Sequence, residues 1–245
     1  MFKSIINGMR FIFSALKISF KLPKVNKTLE SEGKDAAYDE AMLITKKHID
    51  EAIKIGKINL DITGTENIPD EPVVFMGNHQ SYVDIYMLLK AIDRRVILIA
   101  KKEINKIPVI SKLASYLQVL FLDRDNPRKD LIVIRKAINI LKDKNYDVLV
   151  YPEGTRSKSK KMGKFLGGSF RIAQKTKAPI VPVVIDNAYK VLEKDKRIKE
   201  NVNVHLKILE PIYIEKLSQE EQKNISSILK GKIQKELDDL NKTTN

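Results

Sequence analysis

Two kinds of periodicity divide the chain. Over residues 1–22, "MFKSIINGMRFIFSALKISFKL", polar residues fall at 3, 7, 10, 14, 17 and 21, in alternating steps of four and three. That spacing draws one narrow polar stripe down a helix, charged by Lys3, Arg10, Lys17 and Lys21. Phe11, Phe13 and Phe20 belong to the wide apolar remainder. The longest charge-free run is six residues, far below the roughly 20 apolar residues of a membrane span. The continuous apolar core and small-residue cleavage site of a signal peptide are also missing. The pattern predicts an interfacial helix lying among lipid headgroups, with Lys3, Arg10, Phe11, Phe13, Lys17 and Phe20 as its membrane contacts. Residues 30–55 read as a second, more polar helix, with the break near Pro23, so that residues 1–55 form a helical hairpin.

From Lys57 onward the pattern changes. "KINLDITG" alternates as a strand with one wet face, and "PVVFMG" is a continuous apolar run, as in a strand covered on both faces. "DIYMLLKAI" has helical spacing, "RVILIA" reads as a strand, "IPVISKLASYL" as a helix and "VLFLD" as another strand. Asn126 caps a helix that starts at Pro127 and runs to about Asp143. "DVLVYP" is a strand, "GGSFRIAQKT" a helix, and "PIVPVVI" a strand in which Pro182 argues for an edge position or a bulge. "NVNVHLKI" alternates again, and Ser218 with Glu221 makes a capping box for a C-terminal helix. Residues 186–200 read as a charged surface insertion. Strands alternating with helices predict an α/β domain over residues 56–245, with a mixed, largely parallel sheet flanked by helices.

Charge sharpens this picture. Of a net +14, residues 1–29 carry +6 and residues 154–185 carry +8, with no acid in either segment. Two basic zones point to two anionic targets, a membrane surface and a phosphate, rather than to a general nucleic-acid coat. The chain has no cysteine, which removes disulfides, thiolate metal sites and a cysteine nucleophile.

Ligands in open α/β sheets bind beyond the carboxyl ends of the strands. Four such ends carry polar clusters: "GNHQSYVD", "KKE", "RDN" and "EGTRS". Imidazole can take a proton at neutral pH, and a carboxylate on its other nitrogen fixes the tautomer, so His79 and Asp84 can act as base and orienter. The plainer alternative is a loop histidine beside a helix-capping aspartate. Ser81 reads as a turn or cap residue, and His48 and His205 as structural. No second histidine lies near His79, so no metal site is expected. Arg124 and Arg156 each follow a strand, and arginine grips phosphate bidentately. Together with Lys101 at a neighbouring strand end they make an anion site, and Glu153-Gly154-Thr155 offers a tight turn with backbone donors and a hydroxyl.

The segments "NHQSYVD" (78–84), "FLDR" (121–124), "YPEGTRS" (151–157) and "PIVPVVI" (179–185) resemble, in order and spacing, the four sequence blocks of the glycerolipid acyltransferases. The resemblance is greatest to the bacterial 1-acyl-sn-glycerol-3-phosphate acyltransferases and spans about residues 57–210. It implies that His79 is the general base and Asp84 its partner. It implies that Arg124, Glu153, Gly154, Thr155 and Arg156 bind the acceptor phosphate, and that Pro182 belongs to a structural or acyl-binding block. The implied partners are a lysolipid acceptor in an anionic membrane, approached from its cytoplasmic face, and an acyl thioester of coenzyme A or acyl carrier protein, with no cofactor and no nucleic acid. Two features depart from the family pattern. Tyr151 opens the third block where phenylalanine is common, and Phe165-Leu166-Gly167-Gly168 stands where paired lysines often follow a phenylalanine. Acylation of another lysolipid or of glycerol 3-phosphate, and a non-catalytic basic membrane-binding protein, are the alternatives.

Overall fold

A computed structural model describes residues 2–106, 108–123, 126–143, 146–194 and 197–243. The hairpin is built from α1 (Phe2–Glu32) and α2 (Lys34–Gly56). The break is ten residues later than Pro23, at Gly33, whose φ of 91° is open to glycine at little cost. Pro23 stays inside α1 because it lies on the exposed side, where the carbonyl that loses its N–H partner can be hydrated. Among the described residues no helix is long and apolar enough to cross a membrane.

The polar stripe of α1 does not face water along its length. Asn7 and Ser14 are buried, and with Ile18, Leu22 and Val25 they turn toward the protein. Asn7 Nδ2 donates to Glu200 at 2.7 Å, and Ser14 Oγ meets both His48 Nδ1 at 2.9 Å and Glu51. Phe11 belongs to this inner side: its ring lies 5.3 Å from His48 and 6.5 Å from Tyr86. It is therefore a packing residue in this conformation, since positions 7, 11, 14 and 18 recur at helical spacing. The outer side carries Met9, Ile12, Phe13, Leu16 and Phe20, all exposed, with Phe20 at 85%. Arg10, Lys17, Lys21 and Lys24 are exposed on the same helix. Lys3 lies in its first turn, and its side chain is outside the described part.

Among the described residues seven strands follow: β1 (Asn59–Thr63), β2 (Val74–Gly77), β3 (Val96–Lys101), β4 (Leu120–Leu122), β5 (Asp147–Val150), β6 (Ile180–Asp186) and β7 (Asn203–Ile208). They form one sheet in the order β1-β7-β6-β2-β5-β3-β4, parallel throughout except where β6 meets β7. The continuous apolar runs at β2, β5 and β6 are buried along their whole length, as two-sided cover requires. One face carries α1, α2, α3 (Val83–Ala91) and α4 (Pro108–Tyr116) over a core that includes Tyr38, Phe75, Leu88 and Val183. The other carries α5 (Pro127–Asp143), α6 (Arg171–Thr176) and α9 (Ile225–Thr243) over Met76, Val148, Phe170 and Leu229. Asn126 Oδ1 caps α5 by accepting from Lys129 N at 3.2 Å. Ser218 and Glu221 make the reciprocal capping box, on the short α8 (Gln219–Lys223) that precedes α9.

Two loop readings change. Pro182 is not on an edge, for β6 lies between β2 and β7. Val183 opposes Ile208 and Ile180 opposes Ile212, so the two β6 residues between these pairs face three on the other side. That extra residue is a bulge, and the ring of Pro182 sits where ladder pairing is already interrupted. Residues 186–200 are more than a surface insertion: α7 (Tyr189–Leu192) buries Val191 and presents Glu193 to the edge of the sheet where β2 and β5 end.

Candidate active site

β2, β5, β3 and β4 are consecutive and parallel, so their carboxyl ends share one edge of the sheet. The apolar run of β2 ends at Gly77, and the chain turns outward through Asn78. This side chain closes a pair of hydrogen bonds with Ile185, donating to its carbonyl at 2.7 Å and accepting from its N–H at 2.9 Å. Asn78 thereby ties the loop to β6, a role the sequence pattern did not reveal.

Asp84 is fully buried in the first turn of α3. Its Oδ2 accepts from His79 Nδ1 at 2.7 Å, from Gln80 N at 2.6 Å and from Ser81 N at 2.8 Å. The aspartate is thus both a backbone anchor and the partner of the imidazole. Burial pushes its carboxyl above the usual range, and the His79 bond with the two N–H donors pulls against that shift. With Nδ1–H directed at Asp84, Nε2 of His79 keeps a free lone pair on the other side of the ring. The ring is 14% exposed and stacks on Tyr151 at 4.1 Å with planes 9° apart. Burial also drives the Tyr151 phenol well above its ordinary range, so that side chain is a neutral aromatic wall. The Tyr151 hydroxyl, Asp84 Oδ1 and the side-chain amide of Gln80 are buried without a hydrogen-bond partner among the described residues.

Glu153 changes its assignment. Its two carboxylate oxygens accept from His79 N at 2.8 Å and Gly163 N at 2.7 Å, and the residue is buried. A carboxylate so engaged has no reason to meet a phosphate, which would repel it; it fastens the loop after β5 to the loop after β2. Ser157 N adds a second tie by donating to His79 O at 2.7 Å. Gly154 turns the chain with φ 69° and closes on Tyr151 O at 2.9 Å, leaving Thr155 exposed.

Arg156 emerges from this turn beside the loop after β2. Its guanidinium lies 3.5 Å from the centre of the Tyr82 ring, and Nη1 donates to Glu193 Oε1 at 2.5 Å. Ser81 is a turn residue just before α3: its Oγ accepts from Val83 N and donates to Glu193, both at 3.3 Å. Lys101 ends β3, two strand positions from β2 and so about 10 Å across the sheet, where its ammonium pairs with Glu103 at 3.2 Å. Arg124 lies outside the described residues. His48 and His205 take no part here; His48 is bonded between Ser14 and Tyr86, and His205 meets Asp61 at 3.1 Å.

The family model described as "Acyltransferase" matches residues 59–186, more than half of the chain. The chain belongs to the acyltransferase family. The match contains every strand whose end meets the site, together with His79, Asp84, Glu153 and Arg156. Among curated relatives of this acyltransferase, the chloroplastic 1-acyl-sn-glycerol-3-phosphate acyltransferase BAT2 of Brassica napus is 38% identical over 156 residues, covering 62% of this chain and 45% of that one. The 1-acyl-sn-glycerol-3-phosphate acyltransferase of Borreliella burgdorferi is 29% identical over 182 residues, covering 74% and 72%. The chain spans about half the length of the plant relatives it matches. The crystal structure of the 1-acyl-sn-glycerophosphate acyltransferase PlsC from Thermotoga maritima is similar over 98% of this acyltransferase and 99% of its own chain, with a TM-score of 0.77 and 26% identity.

Proposed function

We propose that this acyltransferase moves a fatty acyl group from a thioester to the sn-2 hydroxyl of 1-acyl-sn-glycerol 3-phosphate, giving phosphatidic acid and a free thiol. The observation that carries the reading is the His79–Asp84 pair, at 2.7 Å, on a loop pinned by Glu153 and Asn78. The geometry suits a general base. His79 Nε2 takes the hydroxyl proton as the oxygen attacks the thioester carbonyl, and Asp84 stabilises the imidazolium as it forms. The tetrahedral oxyanion then collapses, the carbon–sulfur bond breaks, and the thiolate takes up the proton from His79. Backbone N–H groups near the loop supply the oxyanion's donors. Arg156 holds the acceptor phosphate, with Lys101 as a further cation along the same sheet edge, and Arg124, which lies outside the described residues, is proposed as a third; the reaction gains mainly from orientation. The donor is acyl-CoA or acyl carrier protein, and no cofactor is needed beyond that co-substrate.

We place the enzyme on the cytoplasmic face of a membrane as a peripheral or monotopic protein. The support is the outer side of α1, where five large apolar side chains lie exposed among Arg10, Lys17 and Lys21. An acceptor panel tests the function: lysophosphatidate, glycerol 3-phosphate and other lysolipids, each with acyl-CoA and acyl carrier protein. Lysophosphatidate should be the preferred acceptor, and His79→Ala should abolish transfer to it. Preference for another lysolipid or for glycerol 3-phosphate would keep the chemistry and move the substrate. Transfer by neither wild type nor variant to any acceptor would return the chain to the non-catalytic reading.

A further inference from the structure

We infer that Tyr82 and Glu193 are positioning residues that hold the Arg156 guanidinium as a pre-formed phosphate clamp at a set distance from His79. This rests on the proposed reading of Arg156 as the phosphate ligand. The guanidinium carbon is 3.5 Å from the Tyr82 ring centre, well inside the roughly 6 Å limit of a cation–π contact. The ion pair with Glu193, at 2.5 Å, has side chains only 19% and 8% exposed, unlike Lys90–Asp50 on the surface, where both are 43% exposed. The ring fixes the plane of the guanidinium and the carboxylate fixes its rotation within that plane. Among the described residues Glu193 engages Nη1, one end of a fork with five N–H donors, so the other donors can meet the terminal oxygens of a phosphate.

The sequence position of Tyr82 gives the clamp its reach. His79, Ser81, Tyr82 and Asp84 lie within six consecutive residues, and Asp84 accepts from two backbone N–H groups of that loop. His79 and the Tyr82 ring against which Arg156 stacks are therefore carried on one pinned loop, and the N–H of Ser157, next to Arg156, donates to His79 O at 2.7 Å, which ties the turn that bears the clamp to the base. In the proposed acceptor the phosphate is on the carbon next to the reacting hydroxyl, so a fixed gap between His79 and Arg156 selects acceptors by that spacing. Glu193 comes from the segment after β6, outside the matched blocks at the ends of β2 and β5.

A buried carboxylate on a cation has a second physical possibility: it can be a competitor that the phosphate must evict. The two roles move the acceptor KM in opposite directions. Steady-state kinetics in mixed micelles should compare Tyr82→Leu, Tyr82→Phe, Glu193→Gln and Arg156→Ala, with lysophosphatidate and with neutral 1-acylglycerol as acceptors. Tyr82→Leu and Glu193→Gln should each raise the lysophosphatidate KM about 3- to 10-fold, leaving kcat and the donor KM unchanged. Tyr82→Phe keeps the aromatic face and should restore the wild-type KM. Transfer to 1-acylglycerol, which has no phosphate for the clamp to hold, should change less than transfer to lysophosphatidate in every variant. A lower KM in Glu193→Gln makes Glu193 a competitor and overturns the inference, as does an equal effect on the neutral acceptor. If Arg156→Ala raises the lysophosphatidate KM while Tyr82→Leu and Glu193→Gln do not, the inference alone is overturned. If Arg156→Ala leaves that KM unchanged, the phosphate reading fails and the inference with it.

Discussion

The loop after β2 and the outer side of α1 are built by opposite rules. At the loop, polar groups are fastened to backbone: Asn78 to Ile185, Glu153 to His79 and Gly163, Asp84 to Gln80 and Ser81. On α1 the polar Asn7 and Ser14 are turned inward, and Met9, Ile12, Phe13, Leu16 and Phe20 face out and are exposed, with the Lys17 ammonium over the Phe13 ring. The first arrangement costs desolvation, which the upward shifts of Asp84 and Glu153 record, and it gains fixed geometry. The second leaves apolar area in water, a cost removed when another apolar phase covers it. One region is held in fixed geometry by buried hydrogen bonds, and the other leaves a row of apolar side chains exposed.

The sharpest way to break the contrast is at the base. His79→Ala should lower kcat by about 10²–10⁴ or more with little change in thermal stability, and Asp84→Asn should cost a similar order by losing the tautomer. Either variant retaining more than about a tenth of wild-type turnover would remove the base-and-orienter assignment. On α1, Phe13→Ser with Phe20→Ser should weaken vesicle binding by about 1.5–3 kcal/mol for each ring that would be fully buried in lipid, while catalysis on a micellar acceptor persists. Co-sedimentation of the double variant at wild-type levels would place the attachment elsewhere, with the basic segment at 154–185 the next to examine.

Glu153→Gln sharpens the distinction between a strut and a ligand. Losing a charged acceptor of two N–H groups should destabilise the fold by about 1.5–3 kcal/mol and lower kcat, with the acceptor KM little changed. A selective rise in acceptor KM would return Glu153 to the phosphate site. The smallest effect is expected at His48, where the two regions are joined: Ser14 of α1, His48 of α2 and Tyr86 of α3 form one hydrogen-bonded row, with Glu51 and Lys17 beside it. Burial lowers the His48 pKa, and Glu51 opposes this. The unfolded chain therefore binds a proton near pH 6.5 that the folded chain resists, so this contribution is present above pH 6.5 and is lost as pH falls below it. Thermal unfolding of wild type and His48→Gln between pH 5.5 and 7.5 should show a steeper acid loss in wild type. Equal slopes would mean that His48 is not held neutral by the packing.

The run lengths and periods of the chain by themselves carried the element order, the parallel sheet, the start and end of α5 and the capping box at Ser218. They did so because these features depend on contacts between near neighbours in sequence, or on how many faces of an element are buried. The same holds for the five-residue spacing of His79 and Asp84, which a single turn into α3 can close. What the sequence left open was decided by partners far along the chain. The direction of the α1 stripe depends on Glu200, His48 and Glu51 offering bonds to Asn7 and Ser14, at separations of 34 to 193 residues. Helical spacing defines two sides of a helix but not which of them meets the body. Glu153 could be a ligand or a strut until the loop after β2 was laid beside it by the pairing of β2 with β5. Glu193 looked like one charge among many until α7 folded back onto α3. A carboxylate takes whatever donor lies within about 3 Å of it, and only the tertiary structure brings those donors there.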